Sequence, residues 1–175
     1  EILIENDGNN FIYAPLVNYA DHTFGVCKKM LDDKNAIMGL GDGGAHVGFI
    51  LDAGYPTWLI SYWSVKQKAY SMEETVRRLT SDTANAAGLN DRGLLKVGLK
   101  ADINIIDWEN VGSSDPFMTQ DLPAGGKRLM QYTKGYVTTI VSGKVTYKNG
   151  KFTKERPGTV VKSVKDEEKT LEFIN

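Results

Sequence analysis

The sequence predicts an α/β chain in two parts: alternating strands and helices, as in a parallel sheet or barrel, followed by a small antiparallel β unit. Three observations carry this. The apolar run over residues 36–40 leads into a glycine-rich loop around one acid, Asp42. Helical stretches with apolar faces follow, over residues 55–67 and from Met72 to Gly88. Beyond Asp91 the apolar period shortens to that of strands, and the turn pairs Ser142-Gly143 and Asn149-Gly150 divide the runs.

Taken in order, Phe11-Ile12-Tyr13-Ala14 is a short apolar run closed by Pro15, the pattern of a buried strand. Phe24, Cys27 and Leu31 have helical spacing, and Asp32-Asp33-Lys34-Asn35 ends that helix. Residues 37–40 read as the strand that delivers Asp42. Over residues 55–67 Pro56 sits in the first turn of a helix, while Trp58, Leu59, Tyr62 and Trp63 share one apolar face. Ser71-Met72-Glu73-Glu74 is a capping box, in which a serine and the glutamate three residues on satisfy each other's free N–H groups. Val76, Leu79, Ala84, Ala86 and Ala87 carry the helical region on to Gly88, a residue suited to end it.

In the second half, Ile103, Ile105 and Asp107 alternate with Asn104 and Ile106, a half-buried strand. Residues 136–141 are rich in β-branched side chains, and Ser142-Gly143 turns them into a strand over 145–147. Asn149-Gly150 before Lys151-Phe152 is a two-residue hairpin signal. Residues 162–175 alternate charges with little apolar content, which reads as a solvated helix or frayed tail. The expected organisation is therefore 1–90, 91–161 and a charged tail over 162–175, with no internal repeat.

The chain has 175 residues, 41% hydrophobic and 25% charged, with a net charge of −1. That length holds a sizeable core in one domain or two small ones. Near-neutral charge gives no electrostatic footprint for nucleic acid or an anionic membrane. The single Cys27 builds no disulfide framework, and neither a membrane-length apolar run nor a signal segment is present, so the expected compartment is the cytoplasm. The first residue is Glu1 rather than Met, the start expected of a fragment, a processed chain or a trimmed one.

Gly39, Gly41 and Gly44 have the G-x-G-x-x-G spacing of a dinucleotide-binding turn. Such a turn needs a helix beginning among the glycines to hold a pyrophosphate. Here Asp42 would set a negative charge beside that anion, and the next helix starts only near Tyr55. The spacing is therefore set aside, and no Gly-Lys-Ser/Thr supplies a P-loop. Asp42 keeps two readings: a metal ligand or general base at a strand's carboxyl end, or an acid capping its own turn. His46 likewise is a ligand or substrate contact, or a hydrogen-bonded loop residue. His22 reads as a helix-start residue, Cys27 as core, and Trp58 and Trp63 as helix packing.

A longer pattern narrows these choices. Residues 39–48, Gly-Leu-Gly-Asp-Gly-Gly-Ala-His-Val-Gly, then Asp52-Ala53-Gly54-Tyr55-Pro56-Thr57, resemble the amidohydrolase superfamily, and within it the N-acyl-D-amino-acid deacylase (D-aminoacylase) branch. The likeness continues through Thr80-Ser81-Asp82-Thr83-Ala84, Asp91-Arg92-Gly93 and Gly98-Leu99-Lys100-Ala101-Asp102-Ile103-Asn104. It runs on through Asp121-Leu122-Pro123-Ala124-Gly125-Gly126-Lys127-Arg128, Gly143-Lys144-Val145 and Arg156-Pro157-Gly158. It thus covers about residues 10–161 in order, far more than any single motif would.

The resemblance implies a metal-dependent (β/α)₈ TIM barrel with a small β-sandwich-type domain. Residues 1–90 would supply strands seven and eight with their helices, and 91–161 most of the β domain. It implies zinc as cofactor and an N-acyl amino acid or related amide as substrate. Asp42 matches the aspartate ending the eighth strand, a metal ligand that shuttles a proton from the attacking water to the leaving amine. His46 matches a position beside the site, a candidate substrate contact. The family's His-x-His pair, bridging ligand and mid-barrel histidines have no counterpart in these 175 residues. A full barrel takes about 250 residues, and a catalytic zinc about three protein ligands. The chain is therefore expected to have little activity alone and to need a companion polypeptide or further N-terminal sequence. A non-catalytic truncated homologue or interaction module is the competing reading.

Overall fold

The computed structural model describes residues 21–39 and 41–161, together with residues 4, 5, 7, 10, 12 and 17–19. Most of the strand expected over 11–14, and the charged tail over 162–175, lie outside the described residues. The helices are α1 (Gly25–Asp32), α2 (Tyr55–Trp58), α3 (Met72–Leu79) and α4 (Ser81–Ala86). The strands are β1 (Ile103–Ile106), β2 (Gly112–Ser113), β3 (Phe117–Thr119), β4 (Arg128–Met130), β5 (Thr133–Lys134), β6 (Tyr136–Val141), β7 (Lys144–Lys148) and β8 (Lys151–Phe152). The chain divides into two compact units. One gathers the stretch up to Ala53 with Asp115–Tyr132, and the other gathers Gly54–Ser114 with the stretch from Thr133.

In the first unit α1 forms where the spacing of Phe24, Cys27 and Leu31 predicts it. The turn into it is built by side chains: Asp21 accepts from Thr23 N–H at 3.1 Å and Thr23 Oγ1 accepts from Gly25 N–H at 3.2 Å. The Thr23 hydroxyl, donating to Asp21 at 2.9 Å, and the Thr23 N–H hold the Asp21 carboxyl below its ordinary range. His22 lies inside this turn at φ 57°, consistent with its reading as a helix-start residue. β3 and β4 form an antiparallel hairpin with Met118 opposite Leu129. Of the strand expected over 37–40, the described residues 37–39 form no ladder, and Ile37 is 53% exposed. A strand in a parallel sheet exists only through neighbours reached by long crossovers. Every strand pairing among the described residues is antiparallel.

The second unit is a helical layer and a four-stranded sheet ordered β1-β6-β7-β8, beside the short β2–β5 ribbon. Pro56 opens α2 as expected, but after Trp58 the helix widens to π winding over Leu59–Lys66. Gln67 N–H reaches back five residues to Tyr62 C=O at 2.8 Å. This winding buries Leu59, Ile60 and Trp63, and Leu59 is only 1% exposed. Burying a leucine is worth about 1.5–3 kcal/mol. Trp58 stacks on Tyr62 and both meet Trp63 edge-on, so the aromatic stripe packs largely on itself, with Trp58 at its exposed edge. α3 packs on the π segment and on α4, and α2 packs on β2.

The capping box forms by halves. Ser71 accepts the Glu74 N–H at 3.1 Å, but Glu74 turns along the helix to Arg78 at 2.9 Å. Glu73 accepts its own N–H and a bond from Ser71 instead, and these lower its pKa. The predicted long helix breaks at Thr80 (φ −126°, ψ −83°) into α3 and α4. Gly88 then ends α4 at φ +69°. Leu89 N–H bonds Ala84 C=O at 2.8 Å and Gly88 N–H bonds Asn85 C=O at 3.1 Å, the paired closure of a Schellman motif.

β6–β7 and β7–β8 are joined by two-residue turns with positive φ at both positions: Ser142 and Gly143 at 49° and 77°, Asn149 and Gly150 at 49° and 74°. These are the hairpin turns whose twist suits the flanking strands. β1 differs in phase from its sequence pattern. A bulge between Ile105 and Ile106 leaves Ile103 and Ile106 half-buried and Ile105 exposed. Much of the matched motif sequence is structural here. Asp102 accepts the Ser142 N–H at 2.8 Å and lies 3.4 Å from Arg92, which forks onto Asp91 at 2.8 and 3.0 Å. No described helix is long and apolar enough to cross a membrane.

Candidate functional site

Asp42 and His46 lie on one loop of the first unit, and both are exposed. The loop is a chain of tight turns: Ala45 N–H bonds Asp42 C=O at 3.0 Å, and Phe49 and Ile50 N–H bond His46 C=O at 2.9 and 3.1 Å. No helix begins among the glycines, which agrees with setting the nucleotide reading aside. The glycines have a different use. A Cβ on Gly41 would fall 2.6 Å from Asp52 Cβ and 2.8 Å from Asp52 O, and one on Gly43 would fall 3.0 Å from Ala53. Residues 41–43 therefore run directly against 52–53, a closeness only glycine permits. Gly44 supplies a positive φ of 102°.

His46 also adopts positive φ, 45°, uncommon for a residue with a side chain. Its ring stacks on Phe49, with centroids 5.1 Å apart, and Phe49 is itself 72% exposed. Asp52 is the residue that reading the sequence missed: its carboxylate accepts the Asp42 N–H at 3.3 Å and so ties the base of the loop. Its signal was modest, an Asp before Ala53-Gly54 of the kind that binds nearby main chain. Among the described residues no hydrogen bond joins the Asp42 and His46 side chains.

A second segment reaches this loop. Leu129 in β4 donates its N–H to Val47 C=O at 2.8 Å. The loop between β3 and β4 is held by Arg128, which forks onto Asp121 with both contacts at 2.7 Å. The pairing holds the Asp121 carboxyl below its ordinary range and raises Arg128. In the same loop Gln120 donates its amide to Gly125 C=O at 3.0 Å, and Ala124 and Gly125 take positive φ.

The residues present do not fit a complete metal centre. Among the described residues no three His, Cys, Asp or Glu side chains are grouped to hold a metal ion, whereas a catalytic zinc takes about three protein ligands. Cys27 donates to Asn18 C=O at 3.6 Å on the side of α1 and is no part of the loop.

The sequence matches the profile of the Amidohydrolase family over residues 16–147. That is well over half of the chain and includes both Asp42 and His46: the chain belongs to the amidohydrolase family. It is also similar to a dihydroorotase from Lactobacillus acidophilus (strain ATCC 700396 / NCK56 / N2 / NCFM), 33% identical over 89 residues. The match takes in 49% of this chain and 20% of that relative, so the chain spans about a fifth of the length of the curated relative it matches. No solved structure matches it.

Proposed function

We propose that this chain supplies residues 1–90 as the end of a catalytic barrel, and residues 91–161 as most of the β domain, of an amidohydrolase. Its substrates are N-acyl-D-amino acids or related amides, and its metal is zinc. One observation carries the reading: the family match spans residues 16–147 and includes the glycine-framed, exposed Asp42. Amide hydrolysis adds water to a carbonyl and requires a proton on the departing nitrogen. An exposed carboxylate on a braced loop can accept that proton from water and return it to the amine as the C–N bond breaks. We assign that role to Asp42, metal ligation to the same carboxylate, and substrate contact to His46. Zinc binding then needs ligands from outside the described residues, contributed by further sequence or a companion polypeptide, and the isolated chain turns over little.

The dihydroorotase likeness favours a second reading, opening of a cyclic amide, in which Asp42 keeps the same part. The test is hydrolysis by the zinc-loaded assembly, the chain with whatever polypeptide co-purifies with it. An N-acyl-D-amino acid is run beside dihydroorotate. Cleavage of the first supports the deacylase, and cleavage of the second alone supports the cyclic-amide reading. An assembly that binds no zinc and cleaves neither is a non-catalytic module.

A further inference from the structure

The bond between Leu129 and Val47 joins two segments far apart in sequence, and its geometry gives it a specific purpose. In the β3–β4 hairpin Met118 faces Leu129 across the pair. The Leu129 N–H points away from β3, since it is given to Val47 C=O at 2.8 Å. In an antiparallel ladder alternate residues turn their N–H outward, so this donor is free to hold something else. What it holds is the carbonyl directly after His46, in the loop whose base is tied by Asp52. The loop is thus gripped at two points, the Asp42 N–H by Asp52 at 3.3 Å and the Val47 C=O by Leu129. The hairpin is in turn braced across its own loop by the Asp121–Arg128 fork.

We propose that the β3–β4 hairpin is a positioning element for the Asp42–His46 loop, acting through the Leu129 main-chain N–H on the Val47 carbonyl. Leu129 is a positioning residue, and its side chain is dispensable for this purpose. That the loop positioned is catalytic rests on the proposed function; that the hairpin positions it does not.

The test separates the two. Leu129→Pro removes the outward N–H without removing a β3–β4 ladder bond, and Leu129→Ala keeps it. Amide hydrogen exchange is measured in the chain at residues 41–50, with β6 and β7 amides reporting the remainder of the fold. Loss of one main-chain bond of ordinary worth should speed exchange of the Ala45, Phe49 and Ile50 amides roughly fivefold in Leu129→Pro. Leu129→Ala should stay within about twofold of the parent. Unchanged exchange in Leu129→Pro, or an equal rise in Leu129→Ala, overturns the proposal. If Leu129→Pro unsettles the hairpin itself, Asp121→Asn loosens it through side chains alone. Loop amides that fail to quicken together with the hairpin amides then overturn the proposal equally. Turnover in the zinc-loaded assembly is scored separately: faster loop exchange in an assembly that never turns over refutes the enzyme reading and leaves the hairpin's part standing.

Discussion

Replacing Gly41 by alanine should wedge apart the two segments that form the base of the Asp42 loop. The added Cβ would lie 2.6 Å from Asp52 Cβ, 2.8 Å from Asp52 O and 3.2 Å from Asp52 C. Carbon atoms rest about 3.5–4.0 Å apart, so residue 52 must retreat by roughly 1 Å. Two of the three obstructing atoms are main chain and cannot rotate away. Overpacking of this kind costs about 1–3 kcal/mol. The retreat also breaks the Asp42 N–H bond to the Asp52 carboxylate, already long at 3.3 Å, for about 1 kcal/mol more. The sum is roughly 2–4 kcal/mol. Two neighbours serve as controls. Gly39 has nothing within 4 Å of its Cβ position, so Gly39→Ala should stay within about 0.5 kcal/mol. Gly44 is equally open but sits at φ +102°, so Gly44→Ala should cost about 1–2 kcal/mol in backbone strain alone. Urea unfolding followed by circular dichroism is the suitable assay. Trp58, Trp63 and Trp108 all belong to the other unit, so tryptophan fluorescence would miss this loop. If Gly41→Ala falls within about 0.5 kcal/mol of Gly39→Ala, residues 41 and 52 are not in contact and the loop is built differently.

Two further outcomes follow from the same reasoning. Gly135 sits at φ +86° with its Cβ position 2.6 Å from Val111 Cα, and Val111 is 5% exposed, so Gly135→Ala should cost roughly 2–5 kcal/mol. Gly150→Ala, at φ +74° in open space, should cost only about 1–2 kcal/mol; equal melting temperatures for the pair would disprove the clash. Asp91 and Asp121 are held below the ordinary carboxylate range by their arginine partners. As pH falls the unfolded chain therefore takes up protons first, so this stability is complete above about pH 4 and is lost as pH falls through the native pKa values. Thermal melts should hold level near neutrality and decline below about pH 4, and the decline should shrink in an Asp91→Asn, Asp121→Asn double variant. An acid limb identical in that variant would remove the two ion pairs as its source.

What the sequence revealed depended on how far apart the determinants lie. The Ser71 cap, the Gly88 stop and the Ser142-Gly143 and Asn149-Gly150 turns are each set by a few adjacent residues, and each has the form its residues demand. The π winding over Leu59–Lys66 was not legible, and it turns the buried face: Leu59, Ile60, Trp63 and Ser64 lie inward, where helical spacing had placed Trp58 and Tyr62 beside Leu59 and Trp63. The β2–β5 and β3–β4 ribbons were equally hidden, being pairs of two or three residues that no period can mark. The strand expected at 37–40 shows the opposite failure: its apolar run is real, but a parallel strand is made by its neighbours. At the candidate site, Asp42 and His46 are proposed from chemistry and pattern. Leu129 was not legible, because a main-chain donor carries no mark of residue type.

The central claim is that Asp42 moves the proton in amide hydrolysis, and Asp42→Asn in the zinc-loaded assembly tests it most directly. The amide keeps the side chain's shape but cannot act as the base. The account predicts that turnover of an N-acyl-D-amino acid falls by at least about a hundredfold, with circular dichroism and melting temperature unchanged. Turnover retained within a few-fold of the parent would contradict it and remove Asp42 from the mechanism.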